Sequence, residues 1–121
     1  MKLMIIDDEP DVAHLAARRI RSWGHDVVCL YEGEGAVEAV RRERPALILL
    51  DIRLSGLSGI DVYRGIREEE SLKSTPIVFF SAHGSQEEYC LNQLGAQGFI
   101  RKPYDPEEFR ETITNLLGKG G

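Results

Sequence analysis

The sequence predicts an α/β protein in which five β-α units form a doubly wound, five-stranded parallel sheet with helices on both faces. Three observations predict it. Five short apolar runs recur along the chain, at residues 3–6, 27–30, 46–50, 77–80 and 98–100. Within each run the apolar residues are successive rather than alternating, as strands covered on both faces require. Segments with helical spacing separate the runs, and right-handed crossovers then distribute helices to both sides of the sheet.

The elements follow in order. The first strand, 3–6, ends on Asp7-Asp8-Glu9. Segment 10–23 opens with Pro10 at a first-turn position, aligns Val12, Leu15, Ala16, Ile20 and Trp23 on one stripe, and stops at Gly24. The second strand ends in Tyr31. Segment 34–44 carries Ala36, Val37, Ala39 and Val40 and ends before Pro45. The third strand runs into Asp51, and Ser58 with Asp61 has capping-box spacing ahead of the third helix. The fourth strand leads to Ser81, and Ser85 with Glu88 has the same spacing ahead of a fourth helix. The fifth strand is followed by Lys102-Pro103. Asp105-Pro106-Glu107-Glu108 then supplies a cap, a first-turn proline and two acids, and Phe109, Ile113, Leu116 and Leu117 make the last stripe.

Composition narrows the function classes. A chain of 121 residues supplies one domain, large enough to bury a core without staples. With 42% hydrophobic and 29% charged residues it is an ordinary globular sequence, which excludes disorder and coiled coil. Asp and Glu number 20 against 15 Lys and Arg, a net charge of -5 that argues against direct nucleic-acid or anionic-membrane binding. The apolar runs are far too short for a membrane span, and no signal-peptide layout opens the chain. Cys29 and Cys90 match no metal or redox spacing. A soluble, cytoplasmic domain is expected, with residues 1–118 as the domain and 119–121 as a glycine-rich tail or linker.

In an open α/β sheet, ligands lie beyond the carboxyl ends of the strands where strand order reverses. With strand order 2-1-3-4-5 the first and third strands are neighbours, and Asp7, Asp8 and Asp51 converge at one rim. Two carboxylates about 4 Å apart repel by roughly 4 kcal/mol at an effective dielectric near 20, so three in one pocket call for a proton or a cation. Oxygen-only ligands suit a hard ion, Mg²⁺ before Ca²⁺. Lys102 adds a positive charge and Ser81 a hydroxyl, which completes the parts needed to hold a phosphoryl group. An aspartate can itself accept that group as a nucleophile.

Asp7-Asp8, Asp51, Ser81-Ala82 and Lys102-Pro103, each at a strand end and in this order, resemble the receiver domain of bacterial two-component response regulators. The similarity spans residue 2 to about residue 117 and includes the flavodoxin-like topology. It implies Asp51 as phosphoacceptor, with Asp8, Asp51 and the main-chain carbonyl of Arg53 binding Mg²⁺ and Asp7 acting through water. It implies that Ser81 bonds the phosphoryl group, that Lys102 pairs with it, and that Phe99 is the switch aromatic. Arg53 and His83 fall at positions that tune phosphoryl lifetime. The implied partner is a sensor histidine kinase or histidine phosphotransfer protein. The fourth helix, fifth strand and fifth helix would form the switching face and a homodimer surface. Such a domain is not an enzyme acting on a separate product, although it assists its own phosphorylation and dephosphorylation.

The sequence departs from the family pattern in three places. Ser55, followed by Gly56, stands where a proline is usual, which predicts a more mobile loop. Phe99 lacks the hydroxyl of the usual tyrosine, and Arg53 and His83 are bulky. The basic clusters Arg18-Arg19-Arg21 and Arg41-Arg42-Glu43-Arg44 read as solvated helix faces, with Arg18 and Arg21 as candidates for partner choice. Rival readings use the same crevice. A small Mg²⁺-dependent aspartyl-phosphate phosphatase usually wants a second acid where Arg53 stands. A nucleotide- or flavin-binding module would want glycines in the acidic first turn, Asp7-Asp8-Glu9-Pro10. A receiver that signals by protein binding without phosphate remains a third.

Overall fold

The computed structural model describes residues 1–82 and 84–120, with side chains to residue 118, so His83 lies outside the described residues. Five parallel strands, β1 (Lys2–Ile6), β2 (Asp26–Leu30), β3 (Leu47–Leu50), β4 (Ile77–Ser81) and β5 (Gly98–Arg101), form one sheet in the order β2-β1-β3-β4-β5. The predicted strand order and all five strands are observed.

Successive strand side chains point to opposite faces, and each face has its own core. Met4, Ile6, Ile48, Leu50, Ile77 and Phe79 pack with helices α2 (Ala36–Glu43) and α3 (Gly59–Glu68). Leu3, Ile5, Leu47, Leu49, Val78 and Phe80 pack with α1 (Pro10–Ser22) and the last helix, Pro106–Gly120. Both sides of every central strand are therefore apolar, which is why the runs do not alternate.

Local signals account for the helix ends. Pro10 occupies the first turn of α1, and Gly24 beyond its C-terminus is left-handed at φ 95°. At the start of α3 the Ser58 hydroxyl accepts from the Asp61 N–H at 3.2 Å. The Asp105 carbonyl accepts from Phe109 N–H at 2.9 Å and opens the last helix.

Two expectations are corrected. The buried face of α1 is Ala13, Ala16, Ala17 and Ile20, whereas Leu15 is 48% exposed. Three alanines on the buried face let α1 lie close against β1 and β2, and the larger Leu15 is turned outward. The fourth helical segment is not a regular capped α-helix. It combines a 3₁₀ turn, Gly84–Gln86, with a π-helical turn, Tyr89–Gln93, and Ser85 sits inside the first rather than capping it. Only Cys90 of these two turns is buried, and glycine, serine and asparagine are weak helix formers, so little enforces regular α geometry.

Candidate functional site

Because β1 sits between β2 and β3, with Ile6 paired to Leu50, the residues following those two strands emerge side by side. Asp7 and Asp51 each extend the ladder by one more bond, Asp7 N–H to Leu30 O at 3.0 Å and Asp51 N–H to Ile6 O at 2.9 Å. Each then turns the chain in the same way. Asp7 Oδ1 accepts from Glu9 N–H at 2.9 Å, and Asp51 Oδ1 accepts from Arg53 N–H at 3.3 Å. These aspartate turns commit one oxygen of each carboxylate to its own loop. The other oxygens face a shared cation: Lys102 Nζ donates to Asp7 Oδ2 at 2.6 Å and to Asp51 Oδ2 at 3.1 Å.

The site is buried at its base. Asp7 is fully buried, Asp51 is 5% exposed and the Lys102 side chain 11%. Lys102 follows β5 through a cis peptide to Pro103, and its Nζ lies 4.8 Å from the centre of the Phe80 ring. Asp8, Glu9, Asp51, Arg53, Ala82 and Lys102 line an open cavity of about 260 Å³, several times the roughly 30 Å³ occupied by a water molecule.

The charges do not balance. Carboxylate oxygens of Asp7, Asp8, Glu9 and Asp51 lie within 4.8 Å of one another, and Lys102 is the cation bonded among them. Burial pushes the Asp51 carboxyl above its ordinary value and Asp7 adds to this, while Lys102 and the Arg53 N–H pull it down without cancelling the rise. Burial alone would lower the Lys102 ammonium, but Asp7 and Asp51 outweigh it and leave it raised. Lys102 is thus firmly charged and held tighter by Asp7 than by Asp51, which leaves Asp51 short of positive charge. An all-oxygen, strongly acidic donor set of this size fits a hard divalent cation.

Residues 3–114 match the response regulator receiver domain. The chain belongs to the response regulator receiver domain family. A putative response regulator from Chloroflexus aurantiacus is similar to it, with a TM-score of 0.90 at 27% identity over 97% of each chain. So is the receiver domain of a sensor histidine kinase from Pseudomonas aeruginosa, TM-score 0.87 at 28% identity over 97% of each chain. That structure holds a magnesium ion coordinated in its active site cleft. A chemotaxis response regulator of Vibrio cholerae shares the fold at 22% identity, TM-score 0.85, over 95% of this chain and 97% of that one. This receiver domain is accordingly a component of two-component signalling.

The receiver's remaining predicted residues are placed as follows. Asp8 and the exposed Arg53 stand at the mouth of the cavity. Ser81 is fully buried at the end of β4, one residue behind Ala82, and its carbonyl accepts from Lys102 N–H at 3.0 Å. Phe99 pairs with Phe79 in the β4–β5 register and is half-buried, lining a separate 280 Å³ cavity with Glu87, Arg101 and Tyr104. Arg18 and Arg21 are exposed on α1, and Arg21 donates to Val27 O at 3.1 Å. Burial raises both cysteine thiols, so neither is poised as a nucleophile. Among the described residues no helix is long and apolar enough to cross a membrane.

Two contributors were not singled out from the sequence. Glu9 joins the acidic cluster, with its Oε1 3.9 Å from Lys102 Nζ, and the run of three acids was the available signal. Gly59 packs directly on the loop after β3. A Cβ there would overlap the Asp51 carbonyl oxygen and come within 2.8 Å of Ile52 Cα. Its N–H donates to Ile52 O at 2.6 Å, so this glycine sets where the Asp51 loop lies. No sequence pattern marked it. The Ser55-Gly56 turn that replaces the usual proline is built on left-handed Gly56 at φ 84°, and Ser55 O accepts from Gly33 N–H at 3.4 Å.

Proposed function

We propose that this receiver domain takes a phosphoryl group onto Asp51 from a phosphohistidine on a sensor histidine kinase or histidine phosphotransfer protein. The observation that supports this best is the state of Asp51, a buried carboxylate lining the cavity, short of positive charge yet within reach of Lys102. In the transfer an Asp51 carboxylate oxygen attacks phosphorus in line, an O–P bond forms, and the histidine N–P bond breaks, leaving the donor imidazole. Lys102 follows the new charge, moving from Asp51 Oδ2 to a phosphoryl oxygen while Asp7 keeps it ionised. Asp8 and Asp51, with the Arg53 main-chain carbonyl and Asp7 through water, would hold Mg²⁺, which supplies charge neutralisation on the phosphoryl oxygens. Ser81 hydrogen-bonds the phosphoryl group, Phe99 responds, and the fourth helical segment, β5 and the last helix change population as the output face. Arg53 at the mouth sets how readily water reaches the acyl phosphate, and His83 shares the tuning of phosphoryl lifetime by its position in the sequence. The domain assists its own loading and hydrolysis and turns over no separate product.

The test is intact mass after incubation with acetyl phosphate and Mg²⁺, for wild type and Asp51→Asn. One added phosphoryl group in wild type alone, abolished by chelation, is the expected result. No gain from acetyl phosphate or from a phosphohistidine donor protein overturns the reading.

A further inference from the structure

Arg101 is the last residue of β5 and stands between Phe99 and Lys102, opposite Ser81 in the β4–β5 register. Its side chain is largely exposed, yet it is tied down at its tip. Nε donates to Glu87 Oε1 at 3.0 Å, which ties the end of β5 to the fourth helical segment. A second observation is independent of that ion pair. The guanidinium lies over Gly84, so closely that a Cβ on Gly84 would stand 2.7 Å from both Nε and Cζ. Gly84 leaves that space clear. One residue therefore covers the start of the segment and grips it one turn later. Ala82, two positions before Gly84, lines the phosphoryl cavity.

We infer that Arg101 and Glu87 form a clamp that holds the chain after β4 in its resting position and restrains its closure over a loaded Asp51. Arg101 is a positioning residue; it touches neither acceptor nor donor. The inference rests on the phosphoacceptor reading of Asp51. In that reading Ser81 must approach the phosphoryl group, and the chain that follows Ser81 is gripped at Gly84 and Glu87. Among the described residues the neighbouring cavity wall contributes three acids, Glu87, Asp105 and Glu108, against the single cation Arg101, so the clamp depends on this guanidinium. Both partners are partly exposed, 66% for Arg101 and 37% for Glu87, so releasing the pair shifts the balance modestly, by about two- to fivefold.

Three variants test it: Glu87→Gln, Arg101→Gln and Gly84→Ala. The last keeps every charge and fills the space under the guanidinium, which has to shift for the added Cβ to fit. Each is expected to load from acetyl phosphate about two- to fivefold faster than wild type. The Glu87→Gln/Arg101→Gln double variant is expected to match either single, since both break one contact. In the unphosphorylated protein, hydrogen exchange over residues 84–94 is expected to quicken in all three. High salt is expected to speed wild-type loading toward the variants' rate and to leave the variants unmoved relative to one another. Loading unchanged or slowed in Glu87→Gln and Arg101→Gln, or additive single effects, overturns the clamp. A wild-type chain that gains no phosphoryl mass overturns the Asp51 reading and with it the coupling to loading. The exchange result separates the two failures, because it reads the grip without phosphate.

Discussion

Replacing Lys102 with methionine is the sharpest perturbation of the site. Methionine keeps an unbranched, apolar stem beside Phe80 and removes only the charge. At an effective dielectric near 20, the contacts of 2.6 Å to Asp7 and 3.1 Å to Asp51 represent about 6 and about 5 kcal/mol of gross attraction. Desolvation of the ammonium and the ordering of its side chain offset much of that. What remains after truncation is one fully buried carboxylate and one nearly so, facing each other with no cation bonded between them. Removing one partner of a buried pair typically costs about 3–5 kcal/mol, and that is the expected loss for metal-free protein at pH 7. With a urea m-value of about 2 kcal/mol/M the unfolding midpoint falls by roughly 2 M. The assay is urea unfolding followed by circular dichroism, in EDTA and in excess Mg²⁺. Magnesium at 100 times its dissociation constant is expected to restore about 2.7 kcal/mol, since it supplies the missing charge in the folded state alone. A midpoint within about 0.3 M of wild type in EDTA would refute the electrostatic account. A deficit that Mg²⁺ leaves untouched would refute the assignment of the acidic cluster as its site.

The raised Asp51 carboxyl sets the sign of a second effect. Its folded value lies above its unfolded one, so the native state binds the extra proton and stability falls as pH rises through that window. Asp51→Asn is therefore expected to be more stable than wild type at pH 7 in EDTA, the difference closing near pH 4; a melting series against pH checks it. Lys102 is raised, so its contribution holds below pH 10.5 and is lost at higher pH; wild type should show an alkaline loss that Lys102→Met lacks. Gly59→Ala forces a Cβ into the Asp51 carbonyl and is expected to cost about 1–3 kcal/mol and to slow loading, checked by thermal melts and intact mass. On α1, Leu15→Ala is expected to change stability by less than about 0.5 kcal/mol, whereas buried Ile20→Ala costs about 2–5, as chemical denaturation would show.

The sequence carries the sheet and the acidic rim openly because both depend on short-range patterns. Runs of successive apolar residues mean burial on two faces, and an acid placed directly after such a run must sit at the strand's end. What it hides depends on distances between separate elements. A helical stripe drawn through Leu15 and another through Ala13 and Ala17 are equally periodic, and only the closeness of α1 to the sheet selects the alanines. Gly59 gives no local signal, because the reason for a glycine there is the backbone of Asp51 and Ile52 approaching from outside its helix. Ser85 and Glu88 have cap spacing, yet the segment is too polar to be drawn into a regular helix. That Lys102 bonds Asp7 more closely than Asp51 is likewise invisible in one dimension.

The two-core sheet has a further consequence, set by odd and even positions along its strands. Ser81, Phe99 and Arg101 share the parity of Phe79 and Ile77, and so belong to the side roofed by α2 and α3. Asp7 and Asp51 come one step after Ile6 and Leu50, and alternation assigns them to the side roofed by α1 and the last helix. The sheet acts as a bulkhead, with the acids and Lys102 on one side and the Ser81, Phe99 and Arg101 row on the other. Removing one residue of β5 between Phe99 and Lys102 would carry Lys102 across to Phe99's side while preserving every amino acid of the motif. Strand length, rather than motif spelling alone, keeps the two compartments distinct.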